Sequence, residues 1–247
     1  MEDTTKVALV TGANKGIGHE IARQLAGLGF RVFAAARDPA RGEASAKRLR
    51  EEGLDVRSIE LDVTKTASIL AAARLIDAQV GRLDVLVNNA GIGILRKPPA
   101  VLTSDDVRTV YETNVFGVIA VIQAMLPLLE RSAAGRIVNI SSTLGSLAAA
   151  SDRERETSSA AYSTSVALAY STSKTALNAV TVCFANQLRA ADIKVNAVCP
   201  GHVATDLNAF AGKRTVEQGA REPVRLATLG ADGPTGGFFD DHGPKPW

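Results

Sequence analysis

The amino-acid sequence predicts one doubly wound α/β domain, a parallel sheet with helices on both faces, on three observations. Six short apolar runs alternate with five helical patterns along the chain. Such alternation implies right-handed βαβ crossovers and therefore parallel strands. Most of the runs are almost continuously apolar, as strands buried on both faces are. A glycine-spaced turn joins the first run to the first helical pattern, the tight connection this layering needs.

In chain order, the first strand is Lys6–Val10, ending at Thr11-Gly12, and the first helix is Gly18–Leu28. A second strand, Arg31–Ala36, leads to Asp38-Pro39, an N-cap acceptor followed by a proline at the first helical position. Helix Ala40–Glu52, strand Val56–Leu61, helix Thr66–Val80 and strand Leu83–Val87 continue the rhythm. Thr103-Ser104-Asp105-Asp106 places caps and negative charge at the start of a long helix, Ser104–Glu130, in which Pro127 is expected to kink or end the helix. Strand Arg136–Ile140, helix Ala169–Ala190 and strand Ile193–Val198 complete the series. Two regions break it. Ser151–Ser165 is charged and serine-rich, and Gly230–Trp247 is dense in glycine and proline, with a short apolar step at Phe238-Phe239.

Composition narrows the function classes. With 247 residues, 46% hydrophobic and 22% charged, the chain builds a full core without disulfide or metal staples. Disorder, collagen and coiled coil are excluded, and no apolar stretch reaches the roughly 20 residues of a membrane span. Twenty-eight basic residues against 26 acidic give +2, too balanced for an electrostatic nucleic-acid footprint. Cys183 and Cys199 are too few and too dispersed for a disulfide framework or a zinc site, so no metal is expected. Met1-Glu2-Asp3 runs towards a strand without a targeting pattern, and the reading is a reduced, soluble, cytoplasmic protein.

The turn Thr11-Gly12-Ala13-Asn14-Lys15-Gly16-Ile17-Gly18 lies between a strand and a helix. Glycines there let the backbone approach a pyrophosphate, whose charge the helix N-terminus favours. The pattern therefore points to a dinucleotide. The second strand ends in Arg37, where a carboxylate would face the 2′-hydroxyl of NAD and an arginine the 2′-phosphate of NADP. Asp38 has a simpler role as a helix cap, and Lys15 and Arg41 add positive charge nearby, which favours NADPH/NADP+. The plain alternative is three solvated surface cations.

Tyr170-Ser171-Thr172-Ser173-Lys174 sets a phenol and an ammonium at i and i+4, on one face of a helix. Alone, that pair is common. Together with the glycine turn, Asn88-Asn89-Ala90-Gly91 after the fourth strand, Asn114 in the long helix and Ser141-Ser142 after the fifth strand, the chain resembles the classical short-chain dehydrogenase/reductase family over nearly its whole length. Its segments VALVTGANKGIG (7–18) and LDVLVNNAG (83–91), the extra stretch before the tyrosine and the tail at Trp247 look most like the carbonyl reductases.

The resemblance implies a Rossmann-type fold and an NADPH-dependent carbonyl reductase that reduces a ketone, aldehyde or quinone to an alcohol. In that reading Tyr170 is the general acid, Lys174 holds the nicotinamide ribose and lowers the phenol pKa, and Ser142 orients the carbonyl oxygen. Asn114 matches the family's helix-kinking asparagine, which supports a water and proton relay. Gly12, Asn14, Lys15, Gly16, Ile17, Gly18, Arg37, Arg41, Asn89, Ala90 and Gly91 belong to the cofactor site. Asp62 and Val63 match the pair that holds adenine, and Pro200, Gly201, Val203 and Thr205 match the segment over the nicotinamide amide. Ser142 is chosen because the family serine is the second of such a pair. Tyr162 heads AYSTSV (161–166), a near copy of AYSTSK (169–174) without the lysine, so Tyr170 is preferred.

The gap from Ser142 to Tyr170 is longer than classical members show and shorter than the carbonyl-reductase insertion. The insertion at about 151–165 implies a monomer, because it would cover the face used for tetramers. The other readings are a ketoacyl or polyketide reductase and a non-catalytic NADP(H)-binding sensor; the second would lack the tyrosine, lysine or serine, and none is missing. Cys199 precedes Pro200-Gly201 and is either a thiol exposed to reagents or a small buried hydrophobe.

Overall fold

The computed structural model describes residues 5–95, 97–152 and 167–247. Where the chain runs apolar, strands form: β1 (Val7–Val10), β2 (Arg31–Ala36), β3 (Val56–Glu60), β4 (Val85–Asn88), β5 (Arg136–Ile140) and β6 (Lys194–Val198). Helices connect them: α1 (Gly16–Gly27), α2 (Pro39–Glu51), α3 (Thr66–Val80), α4 (Ser104–Tyr111), α5 (Gly117–Leu129), α6 (Leu147–Ser151) and α7 (Leu168–Gln187). Then come α8 (Val216–Ala227), β7 (Phe238–Asp240) and β8 (Gly243–Pro244). The sheet order is β3-β2-β1-β4-β5-β6-β7-β8, parallel except for the β7–β8 hairpin. Chain direction across the sheet reverses between β1 and β4, and ligands of such sheets bind at the strand ends beside that switch point.

Two apolar layers hold the sheet. On one side Ile69, Ile76, Val121, Ile122, Met125 and Leu177 pack from α3, α5 and α7. On the other, Ile21, Leu25, Leu49, Ala220, Val224 and Leu226 pack from α1, α2 and α8. The stretch Ser104–Leu129 is long and apolar enough to cross a membrane, contrary to the sequence expectation that none is. Half of its apolar window is buried within this protein, so it serves as a core helix here.

That long helix is not regular. A π turn over Glu112–Phe116 separates α4 from α5; it contains Asn114, where the family resemblance implies a kink that the helical period alone does not show. Pro127 lies in the last turn of α5, which runs on to Leu129, so the proline sits where the helix is already stopping. Four elements, α6, α8, β7 and β8, escaped the sequence reading. Helix α8 contains Gly219 and Pro223, both unfavourable inside helices, yet a Thr215–Gln218 capping box opens it. Strands β7 and β8 are only 3 and 2 residues long and arise from the glycine-rich tail. Most of the proposed insertion, including Tyr162, lies outside the described residues; Ser151 closes α6.

Candidate active site

At the switch point the turn after β1 is a cradle of main chain. Gly12 and Gly16 have φ of +64° and +59°, a region side chains disfavour. A Cβ on Gly18 would lie 2.3 Å from Asn89 Nδ2 and 2.5 Å from the Gly12 carbonyl. Asn89 is spent on this turn, donating to the Thr11 and Gly12 carbonyls at 2.9 and 3.1 Å. Thr11 Oγ1 in turn accepts from the Asn89 and Ala90 amides, both at 3.0 Å. Ala13 is held from two sides, by the Ala35 carbonyl (2.8 Å) and by the Ser45 hydroxyl (3.3 Å). Ile17 packs into the core beneath. Helix α1 starts at Lys15 with no side-chain cap and no acid in its first turn, so its leading amides remain open to an anion. Asn14 is half-buried and Lys15 exposed at the rim. A pyrophosphate fits this donor set.

The end of β2 favours a phosphate over a hydroxyl. Asp38 caps α2 by accepting from the Arg41 amide at 3.1 Å, and its carboxylate pairs with the Arg41 side chain at 3.4 Å. Arg37 is exposed and has no ion-pair partner among the described residues. Lys15 instead reaches across the cleft to Asp206, 3.2 Å away, a pair more than half exposed at both ends. Of the three cations picked out in the sequence, Arg37 is the one left free for an anion.

On the far side of the cleft the chemistry-bearing groups converge. Lys174 is buried and donates to the Ile140 carbonyl at 2.7 Å. Burial pulls its pKa down to about 8. Its Nζ lies 5.6 Å from the centroid of the Tyr170 ring. Burial pushes the Tyr170 phenol well above its ordinary value, Cys199 acts in the same direction, and a hydrogen bond with the Ser142 hydroxyl opposes both. The sequence reading had Lys174 lowering that pKa. With Nζ committed to Ile140 O and facing the ring, desolvation prevails. Ser142 Oγ also accepts from the Leu144 amide at 3.2 Å. Ser141 is structural, its hydroxyl 2.6 Å from Asn178 Oδ1.

Asn114 sits fully buried in the π turn. Its amide pairs with both backbone groups of Ile92, each at 2.9 Å, and donates to Ser173 Oγ at 3.0 Å, tying the loop after β4 to α7. Gly91 borders the same space: a Cβ there would be 3.4 Å from Asn114 Oδ1 and 3.6 Å from Lys174 Nζ. Asp62 accepts from the Thr64 amide and hydroxyl at 3.0 and 2.7 Å. Burial pushes its carboxyl up, but those bonds and Lys65 prevail and hold it below the usual range. Val63 is buried against Gly117, where a Cβ would lie 2.7 Å from the Val63 carbonyl.

After β6, Pro200 is buried and Gly201 turns the chain at φ +78°. Val203 packs on Gly219 of α8, and Thr205 approaches the glycine turn, its Cγ2 3.6 Å from a Cβ built on Gly16. Cys199 is buried and burial raises its thiol pKa, so it behaves as a small hydrophobe. Sequence reading missed the residues that shape the mouth. A Cβ on Gly93 would meet Tyr170 Cδ2 at 3.0 Å and Leu207 and Leu95 at 3.4 Å, which gathers the phenol ring and two leucines around this glycine. It also missed Ser45 and Ser173, since isolated serines carry no sequence signal.

A model of the short chain dehydrogenase family matches residues 6–215. The chain is 36% identical to a (+)-neomenthol dehydrogenase of Arabidopsis thaliana, over 96% of this chain and 97% of that one. It is 37% identical to a carbonyl reductase [NADPH] 3 of Mus musculus over the full length of both. The crystal structure of an NADPH-bound carbonyl reductase from chicken fatty liver superposes with a TM-score of 0.85 at 31% identity, covering 98% of this chain and 99% of that one. The chain therefore belongs to the short-chain dehydrogenase/reductase family, close to the carbonyl reductases, as an NADPH-dependent reductase.

Proposed function

We propose that this single-domain enzyme, acting as a monomer, reduces an uncharged carbonyl compound with an apolar body, a ketone or quinone, to its alcohol. The observation that carries the reading is the buried Tyr170 phenol with the Ser142 hydroxyl against it and Lys174 one helical turn away. NADPH supplies the hydride. Tyr170 donates its proton to the carbonyl oxygen as negative charge develops there. Ser142 hydrogen-bonds that oxygen and orients it. Lys174 binds the nicotinamide ribose and stabilises the phenolate left behind. Asn114 holds the Ile92 loop and the Ser173 side of α7 together and supports the path that returns a proton to Tyr170.

Arg37 binds the 2′-phosphate, with Lys15 and Arg41 adding charge. The glycine turn with Asn14, Asp62 and Val63 holds the rest of the nucleotide, and Pro200, Gly201, Val203 and Thr205 face the nicotinamide. Leu95, Leu207 and the bare Gly93 give the substrate an apolar wall beside Tyr170, which suits hydrocarbon better than charge. The names of the neomenthol dehydrogenase and the carbonyl reductase support the same class. NADPH consumption across cyclic ketones, quinones and ketoacyl thioesters tests it. Turnover of ketones and quinones is expected. Preference for thioesters would point to the polyketide reading, and bound but unconsumed NADPH with every compound to a sensor.

A further inference from the structure

We propose that Trp247 is a positioning residue for the reaction, and that the segment 243–247 clamps the turn bearing Ser142. This rests on the role given to Ser142 above.

Ser142 opens the short turn Thr143–Gly145, and that turn is held from three directions. From α7, Thr175 Oγ1 and Asn178 Nδ2 donate to the Gly145 carbonyl at 2.9 and 3.3 Å. Gly145 is pressed so closely onto this helix that a Cβ would lie 2.7 Å from Lys174 Cβ. From the end of β6, Cys199 shares hydrogen bonds with Thr143. The third holder is distant in sequence. Ser146 Oγ donates to the Pro246 carbonyl and the Ala148 amide to the Trp247 carbonyl, both at 2.9 Å.

That segment is itself anchored. The Lys245 amide donates to the Phe238 carbonyl at 2.7 Å, and the Lys245 ammonium pairs with Asp240 at 3.0 Å. The Trp247 indole stacks on Phe238, with centroids 5.7 Å apart and planes inclined by 15°. Phe238 is buried and pairs with Ala197 of β6, two residues before Cys199. The indole thus links the core end of β6 to the Ser142 turn. It also walls an apolar cavity of about 210 Å³ between Gly145, Leu147 and the Thr175, Ala179 and Val182 face of α7.

Orientation at a reacting centre is steep: a misplacement of about 1 Å can cost about 100-fold in rate. The part of the cofactor site that holds the phosphates lies around β1, α1 and β2, away from this clamp; at the nicotinamide end Lys174 and the segment after β6 lie beside it, but each keeps an anchor of its own, on the Ile140 carbonyl and on Gly219 of α8. Loosening the clamp should therefore reduce kcat and spare NADPH affinity.

The test compares Trp247→Ala, Trp247→Phe and Ser142→Ala in the full chain, measuring kcat, NADPH Kd by nucleotide fluorescence, and Tm. Trp247→Ala is expected to lower kcat about tenfold, leave NADPH Kd within about twofold, and be largely restored in Trp247→Phe, which keeps the stack. Combined with Ser142→Ala it should add little, because both changes remove the same orienting contact. Trp247→Leu fills the space without stacking, and replaces the alanine variant if that variant melts early. Full kcat in Trp247→Ala beside a loss in Ser142→Ala would overturn the clamp, as would parallel loss of kcat and NADPH affinity, or misfolding of both the alanine and leucine variants. Full kcat in Ser142→Ala would instead overturn the role of Ser142.

Discussion

The two halves of the cleft are built by different means. The cofactor half is made mostly of main chain: Gly12 and Gly16 in left-handed conformations, uncapped amides of α1, and Asn89 pinning the turn from the next strand. The carbonyl half is made of side chains held by distant partners, such as Lys174 on Ile140 O and Ser146 on Pro246 O, 100 residues away. The glycine turn of the first is broken by added atoms. The second is broken chiefly by loss of a side chain or of the partner that holds it.

Substitutions in each half sharpen that contrast. The largest effect is expected from Tyr170→Phe, which removes only the transferable proton. Turnover should fall by about 100- to 10,000-fold while NADPH titration is unchanged. On the other side, Gly18→Ala forces a Cβ to 2.5 Å from a backbone carbonyl. It should cost about 1–3 kcal/mol in stability and weaken NADPH binding, read by thermal melting and titration. If the two variants behaved alike, the division of the cleft would be wrong. Arg37→Ala should weaken NADPH about 10- to 100-fold and leave NADH almost unaffected, since a charge-assisted contact is worth about 1.5–3 kcal/mol.

Smaller effects follow from pH and shape. Lys174 titrates at about 8 in the folded cofactor-free protein against an ordinary 10.5, so the unfolded chain holds a proton there that the folded chain has lost. Stability of the cofactor-free protein should be flat in this group below pH 8 and rise between about 8 and 10.5, with Lys174→Met removing the rise. The rate of carbonyl reduction should decline over the same interval as the ammonium is lost. Gly93→Ala presses on the Tyr170 ring and should raise KM several-fold for bulky ketones and little for small aldehydes. Tyr162→Phe is expected to keep nearly full activity, because nothing beside Tyr162 in the sequence fixes a ribose or shifts its phenol.

The same contrast explains what the sequence discloses. The glycine turn and the Asp38-Pro39 cap are each set by residues a few positions apart, and both form as local pattern predicts. Asn114, Ser142, Tyr170 and Lys174 are legible only as a family constellation, since nothing local links the π turn, the β5 end and α7. The clamp at Pro246-Trp247, the mouth at Gly93 and Leu207, and β7 and β8 are invisible to period and cap rules because each depends on partners far along the chain. The direction of the Tyr170 shift likewise follows from burial, which spacing does not report.

Hydride tracing tests the central claim most directly. The enzyme is incubated in ordinary water with an apolar cyclic ketone and NADPH deuterated at one face of nicotinamide C4, then with the opposite isotopomer, and the alcohol is examined by mass and NMR. The account predicts deuterium on the carbinol carbon from one isotopomer only, a solvent proton on oxygen, and no labelled alcohol from Tyr170→Phe. Label from neither isotopomer, or undiminished label in Tyr170→Phe, would contradict it.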